Sequence, residues 1–512
     1  MHLIVRADGS AAIGMGHVMR CLALAEAWID RGGRATFIGR FGAAGASRLQ
    51  SAGARVVNVP ASHPDPADLA AITDAVRADQ AGRPWVVIDG YHFDSTYQQN
   101  VRAVGARVVT VDDTGANQHV AADILVNQNV NAERLPYAAG PGAEVLAGAA
   151  YVMLRREFRQ RARSPRTFPS AARNVLVTMG GGDPDNVTGM VLDAINGASL
   201  PGAAVKVVIG MANPHRDSLQ AIARAARNVE PVIDPADMAS LMEWADLAVT
   251  AAGSTSYETA FVGVPSIMII TAANQVGVAA GMHEHGAAEL AGRAHEVSSD
   301  RLAAAIARLS ADRQRRVNMS RAGRELVDGH GADRIVDRML VHALADAGLT
   351  LRPAAAADAH AIWTLANDRA VRQNAFSTEA IPLEAHLRWF DRKLRSGDSR
   401  LWVLTLPDGT LAGIVRYDRT SSNRADIDIA VSADARSGGL GTALLVATWQ
   451  RACGELRVCA ARGVVMSDNH GSRRAFQRAG FTQAGPEAIQ DGRRYVVFER
   501  HVPVPAATGE PV

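Results

Sequence analysis

Continuous Val- and Ile-rich runs, rather than alternating ones, recur early in this chain, at residues 3–5, 35–38, 56–59, 85–88, 108–111 and 124–126. A strand that is apolar on both sides must be covered on both faces, and the amphipathic Ala/Leu/Arg stretches between the runs supply covering helices. The pattern predicts a doubly wound parallel sheet over residues 1–158. A basic, proline-containing segment at residues 159–169 precedes a second set of runs, at 174–178, 205–209, 248–250 and 266–270, which predicts a second Rossmann-like unit over residues 170–345. Open parallel sheets bind ligands at the carboxyl ends of their strands, so a cleft between the two units is the expected active site.

From Leu351-Arg352-Pro353 the pattern changes. Trp363, Trp389 and Trp402 appear, and residues 401–406, Pro407-Asp408-Gly409 and residues 411–417 read as an antiparallel hairpin. An α+β unit is expected over residues 350–502, followed by a disordered tail at 503–512.

Composition excludes several classes. With 48% hydrophobic and 21% charged residues the chain is globular rather than disordered. Fifty-four Lys+Arg balance 52 Asp+Glu, and no basic tract is concentrated enough to track a phosphate backbone, so nucleic acid is not an expected partner. Cys21, Cys453 and Cys459 are odd in number and lack metal-ligand spacing, which suggests neither a disulfide framework nor a zinc site and points to a reducing cytoplasm. No apolar stretch reaches the roughly 18 residues of a membrane span, and the N-terminus lacks a signal-peptide core, so no membrane partner is expected. Oligomeric state has no signature here.

Three loops carry candidate chemistry. After the first strand, Gly14-Met15-Gly16-His17 opens a helix, where backbone N–H groups attract anions and the glycines allow close approach. The positive helix end disfavours an imidazolium at His17, which suits it to accept a proton from water. In the second unit, Gly180-Gly181-Gly182-Asp183 lies between a strand and a helix, with an Asp or Asn as helix cap. Further on, Gly253-Ser254-Thr255 starts another helix able to hold a diphosphate, and Glu258 can accept hydrogen bonds from ribose hydroxyls. Each loop is also open to a plainer reading: a tight turn at Gly14–Gly16, a strand-end aromatic at Tyr91, a helix-stabilising acid at Glu258, simple packing at Tyr257. Asp89, Asp112 and Asp113 end strands near the cleft and stay unassigned, and no carboxylate pair facing the His17 loop stands out.

Together the twin units, the Gly-rich His loop and the Gly-Ser-Thr-x-x-Glu…Gly-x-Pro…Asn-Gln run resemble the GT-B fold, with a distant similarity to lipid II-forming N-acetylglucosaminyltransferases. Arg6-x-Asp8…Ile13-Gly14-x-Gly16-His17-x-x-Arg20 and Val87-Ile88-Asp89-x-Tyr91 more closely resemble the pseudaminic acid pathway hydrolases, which release UDP from UDP-2,4-diacetamido-2,4,6-trideoxy-β-L-altrose. The resemblance covers residues 1–340. It implies a metal-free, inverting hydrolysis with His17 as the base, Tyr91 and Asn274 lining the sugar site, and Gly14, Gly16, Gly181, Gly253, Ser254, Thr255, Glu258 and Gln275 contacting UDP or substrate.

In the third unit, Arg436-Ser437-Gly438-Gly439-Leu440-Gly441-Thr442 follows the alternating strand that ends at Val431, a strand-to-helix junction that surrounds a pyrophosphate with N–H groups. With Val464-Val465-Met466-Ser467-Asp468-Asn469, Ser472 and Phe476 it resembles the GNAT acetyltransferases. The resemblance implies acetyl-CoA as cosubstrate, held by Val431, Arg436, Gly439, Gly441, Thr442 and Asn469. Phe476 stands where many members carry a tyrosine that protonates the leaving thiolate, and phenylalanine has no proton to give. Residues 374–377 and 386–390 are expected to form one aromatic-bearing helix beside the acceptor, similar to the acetyltransferase acting just before the hydrolase. Trp389 is open to a core role.

The expectation is therefore a bifunctional UDP-sugar enzyme. Three other readings stay open: a GT-B glycosyltransferase, a non-catalytic sensor, and a hydrolase and acetyltransferase for a related sugar such as a legionaminic acid precursor.

Overall fold

The computed structural model describes residues 1–9, 14–79, 82–115, 118–119, 121–161, 166–198, 200–226, 228–346, 348–436 and 439–502. The expected tail at 503–512, Ile13, part of the linker (162–165) and the Ser437-Gly438 pair lie outside the described residues. The described residues divide into two compact units, 1–29 with 33–332 and 30–32 with 333–502, so the first predicted region and most of the second share one unit and the division falls at Ala332/Asp333.

Two large parallel sheets dominate the first unit. Strands β1 (His2–Ala7), β2 (Arg34–Gly39), β3 (Arg55–Asn58), β4 (Trp85–Asp89), β5 (Arg107–Val111), β6 (Ile124–Asn127) and β7 (Glu144–Ala147) align in the order β3-β2-β1-β4-β5-β6-β7. The second sheet contains β8 (Asn174–Thr178), β9 (Ala204–Ile209), β10 (Val229–Ile233), β11 (Leu247–Ala251), β12 (Ser266–Ile270) and β13 (Glu289–Arg293), in the order β10-β9-β8-β11-β12-β13. Its apolar side chains divide by strand alternation. Val175, Val177, Val207, Val249, Ile267 and Ile269 pack on one face, and Leu176, Val208, Ala248, Met268 and Ile270 on the other. Each such buried side chain contributes about 1.5–3 kcal/mol, which is why the runs are continuous rather than alternating.

In both sheets the chain winds outward and then returns beside its first strand. Adjacent loops diverge where it returns and open a crevice. In the first sheet this point lies between β1 and β4, where Ala7 pairs with Asp89. In the second it lies between β8 and β11, where Thr178 pairs with Thr250. The Gly14–His17, Gly180–Gly182 and Gly253–Thr255 loops all follow strands at these two points. Gly210, just after β9, must be glycine, because a Cβ there would meet the Gly181 carbonyl oxygen at 2.3 Å.

The second unit is α+β. Strands β14 (Thr350–Pro353), β15 (Ser399–Thr405), β16 (Leu411–Arg419), β17 (Arg424–Val431), β18 (Ala460–Met466) and β19 (Arg493–His501) follow in that order across the sheet. All neighbours are antiparallel except β17 and β18, which pair in parallel. That parallel pairing runs only from Arg424–Ala460 to Ile427–Gly463. Beyond it the two strands part, leaving Asp428–Val431 and Val464–Met466 on opposite sides of an opening.

Residues 374–390 depart from expectation. They do not form one helix: Asn374–Ser377 follow the short helix Arg369–Gln373, and His386–Phe390 belong to a separate helix, Leu383–Arg395. Pro382 at the second helix's N-cap explains the break, since its fixed φ and missing N–H suit a helix start and not an interior.

Candidate active site

Helix α1 (Gly16–Asp30) begins beside the β1/β4 crevice and carries His17 in its first turn. One turn on, Arg20 faces the same way, as the helical period requires. His17 Nδ1 lies 2.7 Å from Asp89 Oδ1. Arg20 closes on the same carboxylate through Nε (2.6 Å to Oδ2) and Nη2 (2.7 Å to Oδ1), and its Nη1 reaches Asp113 Oδ1 at 2.6 Å. Burial works to raise the Asp89 carboxyl, but Arg20 and then His17 more than offset it and hold it well below the usual carboxylate range. An ionised carboxylate only accepts, so the proton of this contact sits on Nδ1 and leaves Nε2 as the basic nitrogen. Arg20 Nη2, 3.0 Å from the same Nδ1, then has Asp89 as its acceptor.

These contacts add to the sequence reading at three positions. Asp89, left unassigned there, orients the His17 ring, Asp113 accepts from Arg20 and the Tyr91 hydroxyl, and Arg20 ties the two carboxylates together. Asp89 is 72 residues from His17, and only the β1–β4 pairing brings them together. Cys21 is buried and donates to Asp89 at 3.3 Å; burial pushes its thiol far above the usual range, so it is inert.

Tyr91 and Asn274, read as sugar-site residues, meet across the cleft. The Tyr91 hydroxyl donates to Asp113 Oδ2 at 3.0 Å and accepts from Asn274 Nδ2 at 2.8 Å. Its ring stands edge-on to His17 at 5.0 Å. Tyr257 also bridges the halves, its hydroxyl donating to Asn129 Oδ1 at 3.3 Å and accepting from the Val130 N–H at 3.2 Å.

The residues expected to contact UDP cluster around the second switch point. Gly253 and exposed Ser254 lead into helix α2 (Thr255–Val262), with Thr255 at its first position. Gln275 Oε1 accepts from the Thr271 N–H at 2.9 Å, and its Nε2 faces Gly253. Glu258 Oε1 receives Arg155 Nη2 at 2.9 Å, a partner 103 residues away that local spacing does not reveal. At the Gly181 loop, Asp183 accepts from the N–H groups of Val187 (2.8 Å) and Thr188 (2.9 Å). An anion there would therefore meet the glycine backbone and not the helix start.

In the second unit a cavity of about 670 Å³ lies where β17 and β18 part. Val431, Arg436 and Asn469 line it, as do Asn374, His386, Trp389, Asp428 and Phe476. Gly439 takes φ +80° at the start of helix α3 (Leu440–Leu456), a conformation that favours glycine. Gly441 and Thr442 follow in the first turn; the Thr442 side chain is buried. Asn469 Oδ1 caps helix α4 (His470–Arg478) by accepting from the Ser472 N–H at 3.0 Å, leaving its Nδ2 for a ligand. Arg436 is held by the Val431 carbonyl at 3.1 Å and Asp368 at 2.9 Å. The opening between the strands, the glycine-led helix start and the capped Asn469 amide fit an acyl-CoA arm.

Residues 348–482 match the acetyltransferase (GNAT) domain, and residues 176–337 match the glycosyltransferase family 28 C-terminal domain. The two matches lie on separate stretches of this chain. The chain is 27% identical over 231 residues to the spore coat polysaccharide biosynthesis protein SpsG of Bacillus subtilis, covering 45% of this chain and 68% of that protein. It is 23% identical over 257 residues to the UDP-2,4-diacetamido-2,4,6-trideoxy-beta-L-altropyranose hydrolase of Campylobacter jejuni, covering 50% of this chain and 86% of that protein. Among solved structures, Acinetobacter baumannii MurG aligns at 16% identity with a TM-score of 0.47, over 66% of this chain and 98% of its own. The first unit is thus homologous to a nucleotide-sugar hydrolase and ends in a glycosyltransferase-like domain, and the GNAT domain supports acetyl-CoA use. These relationships support a bifunctional sugar-modifying enzyme. Among the described residues no helix is long and apolar enough to cross a membrane, and no group of three or more His, Cys, Asp or Glu is placed to hold a metal.

Proposed function

We propose that the first unit hydrolyses a UDP-linked diacetamido sugar, UDP-2,4-diacetamido-2,4,6-trideoxy-β-L-altrose, and that the GNAT domain makes this substrate by N4-acetylating the UDP-4-amino sugar. The observation that carries the hydrolytic half is the 2.7 Å contact between His17 and Asp89. With Nδ1 held by Asp89, His17 keeps Nε2 bare at the switch point of the first sheet, which supports reading it as the base. His17 Nε2 takes the proton of a water attacking the anomeric carbon, and Asp89 stabilises the imidazolium that forms. UDP leaves as a weakly basic diphosphate, so the site needs donors around it more than a second acid. The Gly253–Thr255 helix start supplies those donors, with Gln275 Nε2 beside it. Tyr91 and Asn274 close over the sugar, and Glu258 Oε2 is offered to the ribose.

In the second unit Val431, Arg436, Gly439, Gly441, Thr442 and Asn469 would hold acetyl-CoA, which supplies the activated acetyl group. The pseudaminic acid pathway and a cytoplasmic setting follow as part of this proposal. Mass-spectrometric analysis of the products formed by the full chain from the UDP-4-amino sugar tests both halves. Free diacetamido sugar and UDP that appear only with acetyl-CoA support the proposal. An acetylated UDP-sugar that accumulates intact would refute the hydrolytic half.

The family 28 match favours one second reading, transfer of the sugar to an acceptor other than water. Multiple-turnover UDP release without an acceptor would dismiss it.

A further inference from the structure

Phe476 leaves the acetyl-transfer cavity without the hydroxyl that would handle the reaction's proton. Its ring is 2% exposed and packs against Phe481 (5.2 Å) and Phe498 (5.7 Å). Two other cavity-lining side chains can accept a proton, Asp428 and His386. Asp428 is taken up by an ion pair, with Arg416 Nη2 at 3.0 Å from its Oδ2. His386 differs in each respect. It is buried, and its ring stacks on Phe390 with an 11° interplanar angle and lies 5.4 Å from Trp389. Nε2 is 3.0 Å from the Ala359 carbonyl oxygen, which only accepts, so Nε2 carries the proton and Nδ1 is the bare nitrogen.

We propose that His386 is the proton carrier for acetyl transfer, a role that rests on the acetyl-acceptor reading above. The amine nitrogen bonds to the thioester carbonyl carbon and the carbon–sulfur bond breaks. The proton lost by nitrogen passes to His386 Nδ1 and from there to the departing sulfur, so the ring ends neutral and no second acid is required. One carrier serving both ends explains how the cavity functions with phenylalanine at 476. Burial, opposed by the Ala359 hydrogen bond, holds the ring below the usual imidazole range, so it is neutral and able to accept near pH 7. The charged groups sharing the cavity are Arg372, Arg416, Asp428 and Arg436. On the elements packed against this helix, Asp358 is paired with Arg352, Arg400 with Glu455, and His360 lies against Trp363.

The test uses the full chain in two measurements. In ¹⁵N-histidine-labelled protein without ligand, the resonance missing from His386→Gln should report the Nε2–H tautomer and titrate below free imidazole. An Nδ1–H tautomer, or a cation at neutral pH, overturns the proposal. With the UDP-4-amino sugar and acetyl-CoA, His386→Gln should slow thiol release by about 100-fold while acetyl-CoA binding stays within about twofold. His386→Gly should regain activity with added imidazole, which a packing role would not produce. Undiminished turnover in both variants overturns the carrier role alone. A wild-type chain that transfers no acetyl group to this sugar overturns the acceptor reading and the carrier role with it.

Discussion

His17 Nδ1 donates to Asp89 Oδ1 at 2.7 Å, and Arg20 holds both oxygens of that carboxylate. The carboxylate is fully buried, so the pair works without competition from solvent. Asp89→Asn preserves the shape but removes the charge that sets the tautomer. UDP release should fall about 10⁴-fold, the loss typical of this change in a carboxylate–histidine pair, with UDP affinity nearly unchanged by calorimetry.

Removing Asp89 also strands part of the Arg20 charge. Arg20 is buried and keeps only Asp113 as its anionic partner. Breaking a buried pair costs about 3–5 kcal/mol. Asp89→Asn should therefore lower the denaturant midpoint clearly more than Asp113→Asn, because Asp113 holds one of the three Arg20–carboxylate hydrogen bonds and Asp89 two.

Stability should depend on pH through the same group. The folded Asp89 value lies below the unfolded one, so its contribution is complete above the unfolded value of about 4 and is lost as pH falls toward the folded value. Asp68, also held low against burial by Arg6, adds to the same acid limb. Urea midpoints measured between pH 5 and pH 3 should fall in the wild type and fall less steeply in Asp89→Asn.

The cross-cleft contact sets a smaller effect. Tyr91→Phe removes the hydroxyl that accepts from Asn274 and donates to Asp113. A net hydrogen bond is worth about 1 kcal/mol, so kcat/KM for UDP release should fall about fivefold. A loss near that of Asp89→Asn would instead place Tyr91 in the proton transfer.

Phe476→Tyr is not expected to restore a missing acid. The ring is enclosed by Phe481, Phe498 and Gly463, whose Cβ position lies 2.2 Å from the Phe476 ring. A hydroxyl buried there without a partner costs about 1–3 kcal/mol. Acetyl transfer should not rise, and the melting temperature of the second unit should drop.

How much of this was legible in the sequence follows from distance along the chain. The strand runs and the glycine loops are local patterns, and they point to both parallel sheets, to an α+β third region and to glycine loops between strands and helices; that two of the sheets' crevices gather those loops follows only from the strand order. His17, Tyr91 and Asn274 stand out in the sequence motifs, and the fold brings them together. Asp89 and Asp113 were visible only as strand-end acids, because their roles depend on the register between β1 and β4 and on a 93-residue reach from Arg20 to Asp113. Arg155 beside Glu258 and the Ala359 carbonyl beside His386 carry no sequence signal. The helix expected across residues 374–390 failed at Pro382, where the ring and the missing N–H start a new helix.

The most direct test of the central claim is hydrolysis of the UDP-diacetamido sugar in ¹⁸O-labelled water, followed by mass spectrometry of both products. Attack by a His17-activated water at the anomeric carbon puts the label in the free sugar and none in UDP, and His17→Ala abolishes both products. Label in the diphosphate, or unchanged release from His17→Ala, would contradict the account.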